Sequence, residues 1–267
     1  MGRLEGKIAL VTGAGSIGPG WGNGKATAAL FAREGATVVA CDINLAAAEE
    51  TAAIIAGEGG ACVALQADVT SPGSVEELVA DAVRRFGRID VLHNNVGTLA
   101  LGGPVEASLE SWRRVMDVNV TSMFLTCKHV LPVMVAGGGG SIVNVSSIVA
   151  ITSLGQHYIS YSASKGAVNQ LTRAVAIEYA GRNVRANAVM PGLMRTPMVE
   201  KTLGASMSAD ELEAMMSRRN AACPSGRMGD AWDVAKAALF FASDDSAYVT
   251  GQLLAVDGGV TLRSPTF

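Results

Sequence analysis

Short apolar runs rich in β-branched residues alternate along the chain with longer Ala-rich stretches, and this alternation limits the possible folds more than any other feature. The runs are continuously apolar, which is typical of parallel strands covered on both faces. We predict strands at Ile8–Thr12, Thr37–Cys41, Cys62–Ala67, Val91–Asn94, Ser141–Ser146, Val184–Val189 and Leu253–Val256. We predict helices at Gly24–Arg33, Leu45–Gly57, Ser74–Phe86, Leu109–Ala136, Ser160–Tyr179 and Ala231–Ala242.

Strands that alternate with helices form a doubly wound α/β sheet, so we expect seven parallel strands with helices on both faces. No linker or repeat divides the sequence, and residues 1–267 are expected to form a single domain. One long segment, Leu193–Gly229, lies outside the alternation and is rich in methionine. We expect this segment to be a substrate lid, with its methionines either as core filler or as an adaptable apolar wall.

The composition excludes several classes of function. A net charge of −3 gives no basic surface typical of nucleic-acid binding. The four cysteines form no CxxC pair and the three histidines no ligand spacing, so we predict neither a disulfide framework nor a metal site. No signal peptide is recognised, and the uncharged stretch 129–164 is broken by Pro132 and four glycines. We therefore expect a cytoplasmic protein with no membrane partner.

A glycine-rich loop, residues 12–28, follows the first predicted strand and leads into a helix. Such a loop lets backbone N–H groups approach a pyrophosphate at the helix N-terminus. The second strand ends in Asp42, where an acid accepts hydrogen bonds from the adenosine ribose of NAD and repels the 2′-phosphate of NADP. No Lys or Arg lies between Gly13 and Asn23, and Ile43 follows the acid. The pattern favours NAD over NADP.

The motifs, taken in order, resemble those of the short-chain dehydrogenase/reductase family over about residues 4 to 260. They are Thr12-Gly13 with Gly22-x-Gly24, Asp68-Val69, Asn94-Asn95-Val96-Gly97, Asn119, Ser146-Ser147, Tyr161-x-x-x-Lys165, Pro191-Gly192 and Thr196-Pro197. The glycine loop is about five residues longer than the family's usual loop, and Val96 replaces the usual Ala. The resemblance implies a Rossmann fold that binds a nicotinamide cofactor.

The resemblance also implies which residues bind the cofactor. They are Gly13, Gly22, Asn23, Gly24, Asp42, Asp68, Val69, Asn95, Val96, Gly97, Tyr161, Lys165, Pro191, Gly192 and Thr196. Because the loop is extended, Gly15, Gly18 or Gly20 could take the place of one of the assigned glycines.

The catalytic group implied by the resemblance is Asn119, Ser147, Tyr161 and Lys165. Tyr161 is the expected general acid or base, and Lys165, four residues away on the same helical face, favours its phenolate. Ser147 is expected to bind the substrate oxygen, and Asn119 to hold a water that connects Lys165 to solvent. Ser146 remains the alternative to Ser147, since only one of two adjacent strand residues can face the cofactor.

The expected reaction is hydride transfer between NAD and a secondary alcohol or ketone, with oxidation as the physiological direction because Asp42 indicates NAD. An NADPH-dependent 3-oxoacyl thioester reductase, or another biosynthetic ketoreductase, is the alternative. A non-catalytic nucleotide-binding protein is a remote alternative, since such a protein is expected to lack Tyr161 or Lys165 and both are present here. The resemblance further implies a homotetramer formed through the helices at Leu109–Ala136 and Ser160–Tyr179 and the last strand region.

Four residues near the expected substrate pocket belong to none of these motifs. Arg195, Arg218 and Arg219 are interpreted as solvated charges, although each could recognise a carboxylate or a carrier phosphate. His157 either lines the pocket or lies in a surface loop.

Overall fold

A parallel sheet of seven strands forms the centre of the computed structural model, which describes residues 2–155, 157–203 and 207–263. The strands are β1 Ile8–Thr12, β2 Thr37–Asp42, β3 Ala61–Gln66, β4 Val91–Asn94, β5 Gly140–Val145, β6 Val184–Pro191 and β9 Leu253–Val256. Their order across the sheet is β3-β2-β1-β4-β5-β6-β9, and every pair is parallel. The predicted doubly wound α/β fold is confirmed.

Helices cover both faces of this sheet. They are α1 Asn23–Arg33, α2 Leu45–Gly57, α3 Pro72–Phe86, α4 Leu109–Met116, α5 Ser122–Ala136, α6 Ile159–Tyr179, α7 Pro197–Leu203, α8 Ala209–Ala222 and α9 Ala231–Ala242. Side chains of α3, α5 and α6 form one hydrophobic core, and those of α1, α2 and α9 form the other. Because the central strands β1 and β2 are buried on both faces, their sequences read as continuous apolar runs, while the edge strands β3 and β9 are only partly buried.

The predicted helix Leu109–Ala136 is interrupted in the structure. One π-helical turn, Asp117–Thr121, lies between α4 and α5. A π turn places an extra residue in the helix and turns the side chains that follow. The apolar periodicity on either side continues, which explains why the sequence predicted one helix.

The same helical run is long and apolar enough, by length and composition, to cross a membrane; it is the one such run in the part of the chain that the structure describes. Half of its most apolar window is buried inside the protein. Leu125, Val130 and Met134 of α5 belong to the hydrophobic core between the sheet and its helices. Its apolar character is therefore that of a core helix.

A buried polar network joins the middle of the sheet to the helices that flank it. Asn94 of β4 donates to Asn144 of β5 at 2.9 Å, and Asn144 donates to Thr172 of α6 at 2.9 Å. The Thr126 hydroxyl of α5 donates to the side-chain Oδ1 of Asn94 at 2.8 Å. Buried amides that are satisfied in this way fix the register of the strands and helices that they join.

The segment predicted as a lid carries its own small structure. Two short strands, β7 Met194–Arg195 and β8 Gly229–Asp230, pair at its ends, and α7 and α8 lie between them. Met216 and Met228 are buried in a separate cluster, whereas Met207 is exposed. Residues 204–206 of the predicted lid lie outside the described residues.

His93 of β4 is completely buried between the sheet and α1. Its ring lies edge-on to Phe31 at 6.0 Å, and neither ring nitrogen has a hydrogen-bond partner within the described residues. Burial lowers the pKa of His93 from 6.5 to about 3. The folded chain therefore keeps this imidazole neutral at pH values where the unfolded chain protonates it.

We predict that His93→Leu reduces the acid sensitivity of the fold. The native pKa is the lower one, so wild-type stability is full above pH 6.5 and falls as the pH decreases toward about 3. At pH 5 this linkage lowers the free energy of unfolding of the wild type by about 2 kcal/mol, and the variant should not show this loss. Urea unfolding at pH 7.5 and pH 5 measures the difference, with the exposed His157→Gln as control. Equal pH dependence of wild type and His93→Leu would contradict the prediction.

Candidate active site

A cleft of about 1180 Å³ opens at the carboxyl ends of the strands, where the loops after β1 and β4 diverge. This is the position at which parallel α/β sheets bind ligands. Every residue predicted to contact the cofactor lines the cleft. Ser147, Tyr161 and Lys165 line it as well, while Asn119 is buried behind its wall.

The loop after β1 packs so closely on α1 that it requires glycine. A Cβ on Gly24 would collide with the Gly13 carbonyl oxygen and with the Asn95 amide, which itself donates to that oxygen at 3.0 Å. The helix begins after Gly22, and no side chain caps its first N–H groups. The buried Asn23 Oδ1 has no partner in the described part of the chain. An uncapped helix N-terminus behind a glycine cradle fits the pyrophosphate of a dinucleotide.

The sequence left Gly15, Gly18 and Gly20 as alternative cofactor contacts, and the structure places them in different positions. Gly15 lines the cleft, and its N–H donates to Asp42 Oδ2 at 3.0 Å. Gly18 and Gly20 are not among the lining residues, and both face Pro197 at the start of α7. Gly15 is therefore the one of the three whose backbone reaches the cleft.

The loop extension is held by contacts that the sequence analysis missed. The Trp21 ring lies 4.7 Å from that of Trp232 on α9, and Lys25 Nζ lies 5.3 Å from the Trp21 ring centre. Lys201 of α7 donates to the Ile17 carbonyl oxygen at 3.1 Å. Two tryptophans so far apart in the chain give no local signal, because only the fold brings them together.

The end of β2 is the acidic end of the cleft. Asp42 accepts hydrogen bonds from the N–H groups of Gly15 and Asn44, each at 3.0 Å, so its carboxylate is held in place at the wall. The adjacent Ile43 side chain is exposed. Among the lining residues from 13 to 43 there is no Lys or Arg. Lys25, nearby on α1, is buried and paired with Glu50 at 2.5 Å.

The loop after β3 forms the next part of the wall. Asp68 accepts from the N–H and the hydroxyl of Thr70 at 2.9 and 2.7 Å, and its own N–H donates to Ser74. These bonds hold the Asp68-Val69 backbone in place beside the cleft, where the sequence predicted contact with adenine.

Tyr161 and Lys165 lie on adjacent turns of α6, with Lys165 Nζ 5.7 Å from the Tyr161 ring centre. Lys165 is buried and donates to the Val145 carbonyl oxygen at 2.8 Å. Burial lowers the pKa of Lys165 to about 8. Burial also raises the pKa of Tyr161 to about 12, and hydrogen bonding with Ser147 acts in the opposite direction. In the ligand-free chain Tyr161 is therefore protonated at neutral pH.

The two serines after β5 have different partners. The Ser146 hydroxyl donates to the Lys165 carbonyl oxygen at 3.1 Å, which ties it to the backbone of α6. The Ser147 hydroxyl accepts from Val149 N–H at 3.3 Å and lies beside the Tyr161 phenol. The geometry therefore favours Ser147 as the hydroxyl that faces a ligand.

Asn119 lies in the π turn between α4 and α5. It accepts from Thr98 N–H at 2.7 Å and donates to the Thr98 carbonyl oxygen and to Ser164 at 2.8 and 2.9 Å. A Cβ on Gly97 would lie 3.5 Å from Asn119 Oδ1 and 3.4 Å from Lys165 Nζ. The absence of a side chain at Gly97 thus leaves a gap between Asn119 and the lysine.

The unassigned side chains fall into two groups. Arg195 is exposed and pairs with Glu200 at 3.4 Å, Arg218 is exposed, and His157 is an exposed loop residue outside the cleft lining. Arg219, in contrast, is half-buried and lines the cleft. Its interpretation as a solvated charge is wrong, because α8 turns consecutive residues to different faces and its rotation is set by tertiary packing.

Within the described residues, no group of three or more His, Cys, Asp and Glu side chains is placed to hold a metal ion.

Comparison with known proteins agrees with this geometry. Residues 18–261 match a protein family described as "Enoyl-(Acyl carrier protein) reductase". The chain is 42% identical over 261 residues to the "3-oxoacyl-[acyl-carrier-protein] reductase FabG" of Thermotoga maritima, covering 97% of this chain and 100% of that protein. It is 38% identical to the "Cyclohexanol dehydrogenase" of an Acinetobacter species, covering 98% and 97%. The crystal structure of a Burkholderia xenovorans protein matches with a TM-score of 0.95 and 48% identity, over 99% of this chain and 100% of that one.

We predict that Gly24→Ala destabilises the protein, although Gly→Ala inside a helix normally stabilises it by about 1 kcal/mol. The added methyl group collides with the loop after β1, and overpacking of this kind costs about 1–3 kcal/mol. Gly57→Ala on α2 is the matched control, since its Cβ meets nothing within 4 Å. Urea unfolding should give opposite signs for the two variants. A Gly24→Ala protein as stable as Gly57→Ala would contradict the close packing described here.

Proposed function

The chain belongs to the short-chain dehydrogenase/reductase family of oxidoreductases that act on CH–OH groups, and we propose that it transfers a hydride between NAD and a secondary alcohol or ketone. The observation that carries the proposal is one cleft with a glycine cradle at one end and Tyr161, Lys165 and Ser147 at the other. We further propose that residues 1–267 act as one domain, with residues 193–229 as its lid.

The choice of NAD rests on Asp42. Its carboxylate is fixed at the cleft wall by two backbone N–H groups, and the lining residues from 13 to 43 include no cation. A 2′-phosphate at this end would meet a fixed negative charge and no basic partner. The remaining cofactor contacts are those proposed from the motifs, from Gly13, Gly22, Asn23 and Gly24 to Pro191, Gly192 and Thr196. When bound, NAD supplies the hydride acceptor and a positively charged ring.

Tyr161 is the proposed general base for alcohol oxidation and the general acid for ketone reduction. To act as a base near neutral pH, its pKa must fall from about 12 toward 7, which needs about 7 kcal/mol of phenolate stabilisation. The Ser147 hydrogen bond already acts on the pKa of about 12, so the further fall comes from the Lys165 ammonium and the ring charge of bound NAD. Because the ring charge of bound NAD stabilises the phenolate, deprotonation of Tyr161 is coupled to cofactor binding.

Ser147 and Asn119 are proposed to support the proton transfer. Ser147 lies beside the phenol and is placed to bind the substrate oxygen as negative charge develops on it. Asn119 faces Lys165 across the gap at Gly97, which supports a water-mediated connection from the lysine to solvent. A π turn holds Asn119 in this position, and such turns frequently occur at functional sites.

A second candidate is an NADPH-dependent 3-oxoacyl thioester reductase. Its support is the 42% identity with the Thermotoga maritima protein of that description. The fixed carboxylate of Asp42 argues against it, because this acid disfavours the 2′-phosphate of NADPH.

We also propose a cytoplasmic homotetramer built through α4, α5 and α6. Leu109, Phe124 and Ile177 on these helices are largely exposed in the single chain. Large apolar side chains exposed on neighbouring helices are typical of surfaces that are covered by another subunit.

Tyr161→Phe should lower kcat for secondary-alcohol oxidation by about 10²- to 10⁴-fold, the usual contribution of a general base. The measurement is absorbance at 340 nm with NAD or NADP and a panel of sugars, hydroxysteroids, aryl carbinols, aliphatic diols and hydroxyacyl thioesters. Tyr179→Phe, at the other end of the same helix, is the matched control and should retain activity. Turnover that survives in Tyr161→Phe would exclude the proposed base, and turnover with NADP alone would favour the second candidate.

Asp42→Asn should reduce the preference for NAD over NADP in kcat/KM by at least tenfold. The amide oxygen can still accept from Gly15 N–H, so the change removes the charge and keeps the loop anchor. Asp81→Asn on the surface of α3 is the control for a simple change in net charge. If the NAD preference is unchanged in Asp42→Asn, this carboxylate does not select the cofactor.

A further inference from the structure

Arg219 lies in the last turn of α8, within the proposed lid. Among the described residues of this segment, it is the charged one that lines the cleft. Tyr158 and Arg219 are close enough for the phenol to influence the guanidinium electrostatically. The Tyr158 ring in turn packs edge-on against Tyr161, with centroids 5.8 Å apart. Tyr158 is therefore a shared neighbour of the guanidinium and of the proposed base, and all three side chains line the cleft.

This guanidinium has no counterion among the described residues. It makes no hydrogen bond and no ion pair with them, and its Nε is buried without a partner. Burial lowers the pKa of Arg219, while Tyr158 and Cys223 act in the opposite direction. An arginine nevertheless stays protonated in proteins, so this part of the cleft carries a positive charge that is only partly hydrated. A half-buried charge of this kind is stabilised by a negative group.

Apolar side chains pack beside Arg219 on α8. Leu154, Leu193 and Val199 line the cleft and belong to the apolar cluster that includes Met216 of the same helix. None of the described lining residues from 145 to 219 is acidic, and Lys165 and Arg219 among them are cationic. The lining acids are Asp42 at the end of β2, Asp68 after β3, and Glu110 and Asp117 on the stretch that also carries Arg113 and Arg114. The charges therefore favour an anion near Arg219 and disfavour one beside Asp42.

We propose that Arg219 binds a carboxylate carried by the alcohol itself, so that the substrate is a secondary hydroxy acid with an apolar body. This inference rests on the proposed function, since it places the carbinol at Tyr161. The planar guanidinium matches a carboxylate with two parallel hydrogen bonds. In a carrier-bound thioester the phosphate is separated from the carbinol by the whole pantetheine arm. Arg219 and the proposed base both lie beside Tyr158, so the guanidinium is too close to the carbinol to bind that distant phosphate.

The test compares hydroxy acids with their own primary amides. The panel varies the number of carbons between the carbinol and the carboxylate, and it includes hydroxyacyl thioesters. Wild-type kcat/KM should be at least tenfold higher for the best acid than for its amide. Arg219→Gln should remove this preference by lowering the value for the acid, and Arg219→Lys should restore part of it. Arg218→Gln, the exposed neighbour, should behave as wild type.

Three results would overturn the proposal. The first is an equal wild-type kcat/KM for an acid and its amide. The second is an equal loss of kcat/KM for both compounds in Arg219→Gln. The third is a loss of kcat/KM in Arg219→Gln that affects only the thioesters. In each of these cases alcohol turnover itself continues, so the proposed function stands while the role of Arg219 does not.

A binding measurement separates failure of the proposed function from failure of this inference. Calorimetry with a saturated aliphatic carboxylate that lacks a hydroxyl group, and with its amide, reports the site without any reaction. Tighter binding of the carboxylate that is lost in Arg219→Gln would support the anion site even if no alcohol is oxidised. Equal binding of both compounds would contradict it.

Discussion

The attachment of α6 to the end of β5 is the interaction on which the site depends. Lys165 donates through its ammonium group to the Val145 carbonyl oxygen at 2.8 Å, and Ser146 donates to the Lys165 carbonyl oxygen at 3.1 Å. These two bonds run in opposite directions between one strand end and one helix turn. They place Tyr161 beside Ser147 and bury the lysine charge next to the cleft. The proposed catalytic arrangement is thus a consequence of how a helix is joined to a strand.

The charge distribution of the cleft follows from the same topology. The carboxyl ends of parallel strands meet at one edge of the sheet, so Asp42 at the end of β2 and the side chains after β5 open into one space. A fixed carboxylate lies at one end, and Arg219 contributes a positive charge from the proposed lid. The long loop after β1 lies between them and contacts α7 through Lys201. The proposed selection of the cofactor and the proposed selection of the substrate therefore depend on opposite ends of the cleft.

The sequence predicted the strands and most helices closely, because buried parallel strands read as uninterrupted apolar runs. It could not predict the π turn at Asp117–Thr121, since the apolar pattern continues across it. It also misplaced Arg219, because the rotation of a short helix is set by tertiary packing. The contact of Trp21 with Trp232 was missed for a related reason, as it joins distant parts of the chain. The order of the motifs predicted which residues line the cleft, but the direction of the Tyr161 pKa shift depends on burial, which only the three-dimensional structure shows.

The most direct test of the account follows the hydrogen atom itself. An accepted secondary alcohol carrying deuterium on its carbinol carbon is oxidised in ordinary water with NAD, and the reduced cofactor is examined by mass spectrometry and NMR. The account predicts one deuterium at C4 of the nicotinamide in every molecule of NADH and none released to solvent. Deuterium recovered in water, with unlabelled NADH, would contradict direct hydride transfer in this cleft.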